Sequence, residues 1–228
     1  MMEFFVGTSG WAYSWNEKGN FDWYVSNSGL NAVELNMSFY RFPSPSVIRS
    51  WSRKGSHLRW SIKVNRLITH NFKFDEKAFQ SWQSFHELFL PLEPYIDFYL
   101  FQLPPSMKPD WAERIEDLAV KSDLHCRFAL EVRNEAWFRQ EWIDWASRLG
   151  ITWVSIDAPD YPRDIHKTSH LIYVRMHGRT GWYTHLYSEE ELKEVVRKTL
   201  KANPEKAYVF FNNNHAMLDN SRKMLTIL

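Results

Sequence analysis

Apolar and polar side chains alternate in eight short runs, at residues 4–8, 32–39, 59–65, 97–103, 127–133, 152–157, 171–177 and 207–212. Each is rich in aromatic or β-branched residues and predicts a strand. Between the runs the period lengthens to that of a helix. Residues 46–54 bring Val47, Ile48 and Trp51 onto one stripe, and residues 76–90 do the same with Phe79, Trp82, Phe85, His86 and Phe89 before Pro91 and Pro94 stop the turn. Further helices are predicted at 110–122 behind the acidic Asp110 and at 140–149 ahead of Gly150. Another follows Ser188, where Glu191 completes a capping box, and a last one covers 216–228.

Strands that alternate with helices call for a parallel sheet, and eight of them favour closure. The expected fold is α/β: a parallel, eight-stranded (β/α)8 TIM-type barrel forming a single domain over residues 1–228, with an irregular connection after strand six, where no helical pattern follows Asp157. An open doubly wound sheet is the alternative. Its dinucleotide fingerprint is missing, because G-T-S-G-W after the first strand carries only two glycines, at the wrong spacing.

Six charged side chains interrupt the strand runs: Glu34, Lys63, Glu131, Arg133, Asp157 and Arg175. A charge flanked by apolar residues on both sides is costly to bury unpaired, so it belongs either to a working site or to a paired structural network. In a barrel the odd and even positions of a strand face opposite layers. That parity sends Glu34, Asn36 and Ser38 inward, then Ser61, Lys63 and Asn65, then Ala129, Glu131 and Arg133. It also sends inward Ser155 and Asp157, opposite Val154 and Ile156, and Tyr173, Arg175 and His177. Strand four supplies Gln102, strand eight Asn212, and the third loop His70. Trp11, Tyr40 and Trp137 follow strands one, two and five, where they either lid the core or form a platform on which a sugar ring or base stacks.

Composition narrows the classes. The chain has 228 residues, 44% hydrophobic and 17% aromatic, ample for one core without disulfides, and Cys126 is its single cysteine. A net charge of +1 argues against a broad basic face for duplex nucleic acid but leaves room for a local anion pocket. No window approaches the roughly 20 apolar residues of a membrane helix, and the expected location is cytoplasmic, away from membranes.

Eight ordered motifs, G-T-S-G-W-x-Y, V-E-L-N-x-S-F-Y, I-T-H, Q-L-P-P, E-V-R-N-x-x-W, D-x-P, R-x-H-G and F-N-N, make the chain resemble the YecE-like family, domain of unknown function 72, from end to end. The resemblance implies a (β/α)8 barrel. Carried over by motif, its shared mouth comprises Ser9, Trp11, Tyr13, Glu34, Asn36, Tyr40, Lys63, His70, Gln102, Glu131, Arg133, Trp137, Asp157, Arg175, His177 and Asn212. Ser38 stands where many relatives have threonine, and the segments after Trp15 and around Thr180 look short. The resemblance brings no reaction with it.

Three functions fit these residues. The first is an enzyme, of phosphodiester-hydrolase type, acting on a small anionic or phosphate-bearing substrate such as a phosphate ester, a nucleotide or a nucleic-acid-like strand. Here Lys63, Arg133 and Arg175 hold anionic oxygens, Glu131 or Glu34 acts as general base, and His177 or His70 as acid. Asp157 is grouped with the catalytic set; Asn36, Tyr40, Trp11, Gln102, Trp137 and Asn212 with substrate binding. The second is metal-free carbohydrate chemistry on the carboxylates Glu34 and Glu131. The third is a non-catalytic ligand-binding module. No cofactor is identified, and the residues suit a single divalent metal better than a trinuclear site.

Overall fold

The structure is a computed structural model describing residues 2–228. All eight expected strands form and pair in chain order into one closed parallel barrel. They are β1 Glu3–Ser9, β2 Ala32–Leu35, β3 Arg59–Lys63, β4 Ile96–Gln102, β5 Phe128–Glu131, β6 Thr152–Asp157, β7 Leu171–Met176 and β8 Lys206–Phe211. Among the described residues seven α-helices accompany them: α1 Phe21–Asn27, α2 Pro45–Lys54, α3 Glu76–Phe89, α4 Ala112–Ser122, α5 Gln140–Leu149, α6 Glu189–Ala202 and α7 Met217–Ile227. As expected, no helix joins β6 to β7. The helix α1 had no counterpart in the sequence reading, because seven residues are too few to display a period; it starts where the Asn20 side chain accepts from Trp23 N–H.

Two layers of side chains sort by strand parity. Outward residues, among them Val33, Ile62, Tyr99, Phe101, Leu130 and Trp153, pack beneath the helices. Inward residues Phe98, Leu100, Ala129, Val154, Tyr173, Tyr208 and Phe210 fill the lower barrel with an apolar plug. The plug needs close approach between β1 and β2. A Cβ on Gly7 would lie 2.4 Å from the Ala32 carbonyl oxygen, so glycine is required there.

The parity expected for β6 is reversed. Val154 and Ile156 line the interior, in register with Tyr173 and Arg175 of β7, while Ser155 and Asp157 point outward. Outward polar residues are tolerable here because the irregular segment 158–170 lies over this end of the strand and supplies partners: His166 N–H donates to Ser155 Oγ at 2.9 Å.

Strand β2 also ends earlier than its apolar run. After Leu35 the chain turns through a 3-10 helix, Met37–Phe39, because the Ser38 hydroxyl, buried between β2 and β3, engages the Leu35 carbonyl at 2.9 Å and the Lys63 carbonyl at 2.6 Å. A π-helical turn, Leu67–Asn71, follows β3 and carries His70.

Candidate functional site

Above the apolar plug lies a layer of charge. Glu34 at the end of β2 accepts from Ser9 Oγ at 2.6 Å and from Arg175 Nη2 at 2.5 Å on one oxygen, and from the Tyr173 hydroxyl at 2.5 Å on the other. With its own hydrogen committed to Glu34, Tyr173 accepts from Ser61 at 2.7 Å. Across the barrel, Glu131 accepts from Arg175 Nη1 at 2.5 Å and from Arg133 Nε. One guanidinium therefore bridges two carboxylates from strands three places apart, and all three side chains are sealed from solvent. Burial alone would raise the Glu131 carboxyl and lower the Arg175 guanidinium. Their mutual attraction, with Arg133 and Glu34 beside them, overrides it, holding Glu131 well below the usual carboxylate range and Arg175 firmly charged.

Arg133 extends the network. Its Nη2 lies 3.1 Å from His177 Nε2, and the Asn212 Nδ2 lies 3.3 Å from His177 Nδ1, so the ring sits between two nitrogen donors. Burial, then the Arg133 charge, push the His177 pKa down to about 3. The indole of Trp182, in the loop after β7, covers the Arg133 guanidinium at 4.7 Å and donates to Asp160 at 2.7 Å.

Lys63 is the exception in this layer. It sits at the end of β3, 6% exposed, with its amine 4.3 Å from the Phe39 ring centroid. Among the described residues it has neither a salt bridge nor a side-chain hydrogen bond, whereas Glu34, Glu131, Arg133 and Arg175 are all paired. Burial and the neighbouring Arg175 charge lower its pKa to about 7, against the opposing pull of Glu131 and Glu34. His70, ring to ring with Phe39 at 5.0 Å, is pushed down to about 4 by burial and by Lys63 and Arg66.

Beside the charged layer a cavity of about 240 Å³ opens between the loops after β1 and β2. Trp11, Tyr13 and Tyr40 wall it, and Ser9 and Asn36 contribute its polar edge. The Asn36 side-chain oxygen is buried without a partner. Burial and the nearby Glu34 charge raise the Tyr13 pKa, placing its hydroxyl in the field of the charged layer.

The structure thus gathers Glu34, Lys63, Glu131, Arg133, Arg175, His177 and Asn212 at one mouth, with Gln102 in register beside Glu131, and sets Asn36, Tyr40 and Trp11 around the adjoining cavity. Two expected members are displaced. Trp137 is wholly buried, its indole donating to the Met107 carbonyl at 2.8 Å and packing on Trp142, so it offers no face to a ligand. Asp157 points out of the barrel, where Arg179 grips it at 2.8 Å and Tyr187 donates to it at 2.9 Å, and so it anchors the loop after β7. Trp11 has a double role, since most of its ring packs on Phe21 and Trp51. The sequence reading gave no role to Trp182, although G-R-T-G-W-Y directly after the seventh strand marks an aromatic loop at the mouth. No group of three or more His, Cys, Asp or Glu side chains converges among the described residues.

Comparison with known proteins supports the fold. A DUF72 family protein of Enterococcus faecalis V583 is 20% identical, superposes with a TM-score of 0.82, and matches over 100% of this chain and 98% of its own. A DUF72 family protein of Thermotoga maritima MSB8 is 25% identical with a TM-score of 0.82, over 99% and 98% of the two chains. A D-psicose 3-epimerase, solved in the presence of D-fructose, shares the barrel at 12% identity and a TM-score of 0.59, over 99% and 98%. No curated protein matches the chain. The family model described as "Protein of unknown function DUF72" matches residues 5–228, and the chain belongs to that family.

Proposed function

We propose that the protein is an enzyme acting on a small phosphate-bearing substrate, a sugar phosphate or nucleotide, that lays its ring in the Trp11, Tyr13 and Tyr40 cavity and its anionic group toward Arg133 and Lys63. The observation that carries this reading is the unpaired Lys63. Glu34 and Glu131 cancel Arg175 and Arg133, so the layer is neutral until Lys63 takes a proton, and an arriving anion supplies the missing counter-charge. Arg133 has donors beyond its bonds to Glu131 and His177. The unpartnered Asn36 oxygen suits a ligand hydroxyl, and flat walls suit a ring.

The same geometry redistributes the catalytic roles. A carboxylate pair for glycoside chemistry must be free to donate or attack, yet both Glu34 and Glu131 are saturated by donors. Lys63, with a pKa of about 7, is the group matched to proton transfer near neutrality. His177 and His70 serve as neutral hydrogen-bonding groups. Calorimetry with ribose 5-phosphate and with ribose tests the proposal. The phosphate ester is expected to bind, with at least tenfold loss in Arg133→Gln, while ribose binds weakly; equal affinity for both would end it.

A further inference from the structure

We propose that Lys63 is a carbonyl-capturing nucleophile, and that the substrate class of this mouth is therefore a phosphate ester carrying an aldehyde or ketone. This rests on the phosphate-binding reading above and adds the reaction to it. Three features of the site support it. An amine bound to a carboxylate has its charge fixed, but Lys63 is held in a nearly dry site without such a bond, so its lone pair is available once the proton leaves. At its pKa of about 7, near half of the amines are unprotonated at neutral pH. The amine lies behind the cavity wall, since it rests on Phe39, and Met37 and Tyr40 on either side of Phe39 in the chain line the cavity.

Charge separates capture of a carbonyl from simple base catalysis. The Lys63 nitrogen adds to the carbonyl carbon, the carbonyl π pair moves to oxygen, and that oxygen takes the proton that the nitrogen releases. The resulting carbinolamine expels its hydroxyl with one more proton as water. Net, a ketone, an amine and one proton give an iminium and one water. The iminium is a fixed cation that the Glu34 and Glu131 carboxylates attract, against the opposing effects of burial and Arg175. It also balances a bound phosphate without an exchangeable proton.

The test is reductive trapping of the whole chain with dihydroxyacetone phosphate and sodium borohydride, read by intact mass and peptide mapping, alongside calorimetric titration with inorganic phosphate. The expected result is a single adduct at Lys63, absent in Lys63→Met and at least tenfold weaker with unphosphorylated dihydroxyacetone. Phosphate binding without an adduct at Lys63 overturns the inference and leaves the function standing. Equal trapping of both ketones with no phosphate binding overturns the function and keeps the nucleophile. Adducts scattered over surface lysines overturn the inference.

Discussion

Arg175 donates from Nη2 to Glu34 at 2.5 Å, and neither side chain touches solvent. Its other amino group holds Glu131 at 2.5 Å, so a single cation touches two buried anions. Replacing it with an apolar residue leaves Glu34 with no cationic partner and Glu131 with Arg133 alone. Arg175→Met is expected to cost about 3–5 kcal/mol, read as a fall in the urea midpoint; a loss under about 1 kcal/mol would mean that water reaches these carboxylates.

Lys63 has the opposite effect on stability. Its folded pKa of about 7 lies below the usual 10.5, so the folded state binds fewer protons than the unfolded one between those values. The cost is full below pH 7, shrinks as pH rises, and is gone above 10.5. Lys63→Met is therefore expected to be more stable than the wild type at pH 6 by up to about 5 kcal/mol, with the advantage fading by pH 10. Unfolding free energies of both proteins at pH 6, 8 and 10 check this, and a gap that does not narrow refutes it.

On the acid side two groups act together. His177, folded pKa about 3 against 6.5, resists the proton that the unfolded chain accepts, so stability falls as pH drops through that window. Glu131 contributes stability above its ordinary pKa of 4.5 and loses it as pH falls toward its much lower folded value. His177→Gln is expected to flatten the decline between pH 6.5 and 4, while the acid unfolding to which Glu131 contributes remains below it. Urea midpoints over that range decide the matter.

Tyr40 and Trp137 were expected to share one task, and they separate cleanly. Tyr40 is 69% exposed on the cavity wall, so Tyr40→Ala should change stability by less than about 0.5 kcal/mol yet weaken ribose 5-phosphate binding about tenfold. Trp137 is a core residue, and Trp137→Ala should cost about 3–5 kcal/mol while leaving the affinity of the folded fraction unchanged. Melting curves paired with calorimetry distinguish them; a reversal of the two outcomes would move the ligand to the other side of the barrel.

The eight strands and their closure were readable because the period of two and the apolar runs survive in any single sequence. So was the inward set on β2, β3, β5, β7 and β8, since alternation alone assigns Glu34, Lys63, Glu131, Arg175 and Asn212 to one side. Strand β6 defeated the same rule. Val154 and Ile156 alternate with Ser155 and Asp157 equally well in either orientation, and the choice depends on a distant fact, that an irregular polar segment covers its outer face. Trp137 was misplaced because an aromatic residue after a strand looks the same whether it folds over the mouth or under a helix. Pairing was the least legible property. Nothing along the chain says that Arg175 takes both carboxylates and leaves Lys63 with none.

The missing helix outside β6 has a mechanical consequence. Elsewhere around the barrel, lifting a crossover means unpacking an amphipathic cylinder from the wall. Here the strap of residues 158–170 is tied instead by separate hydrogen bonds, among them His166 to Ser155, Tyr161 to the Arg133 carbonyl and Thr168 to the Ile151 carbonyl, and its Asp160 clasps the indole that shields Arg133. The loop carrying that indole begins at Gly178, whose φ of +119° only glycine adopts readily. The cover over Arg133 is thus pinned by two carboxylates, Asp160 on the strap and Asp157 at the end of β6, where the other sectors of the rim are pinned by a helix face.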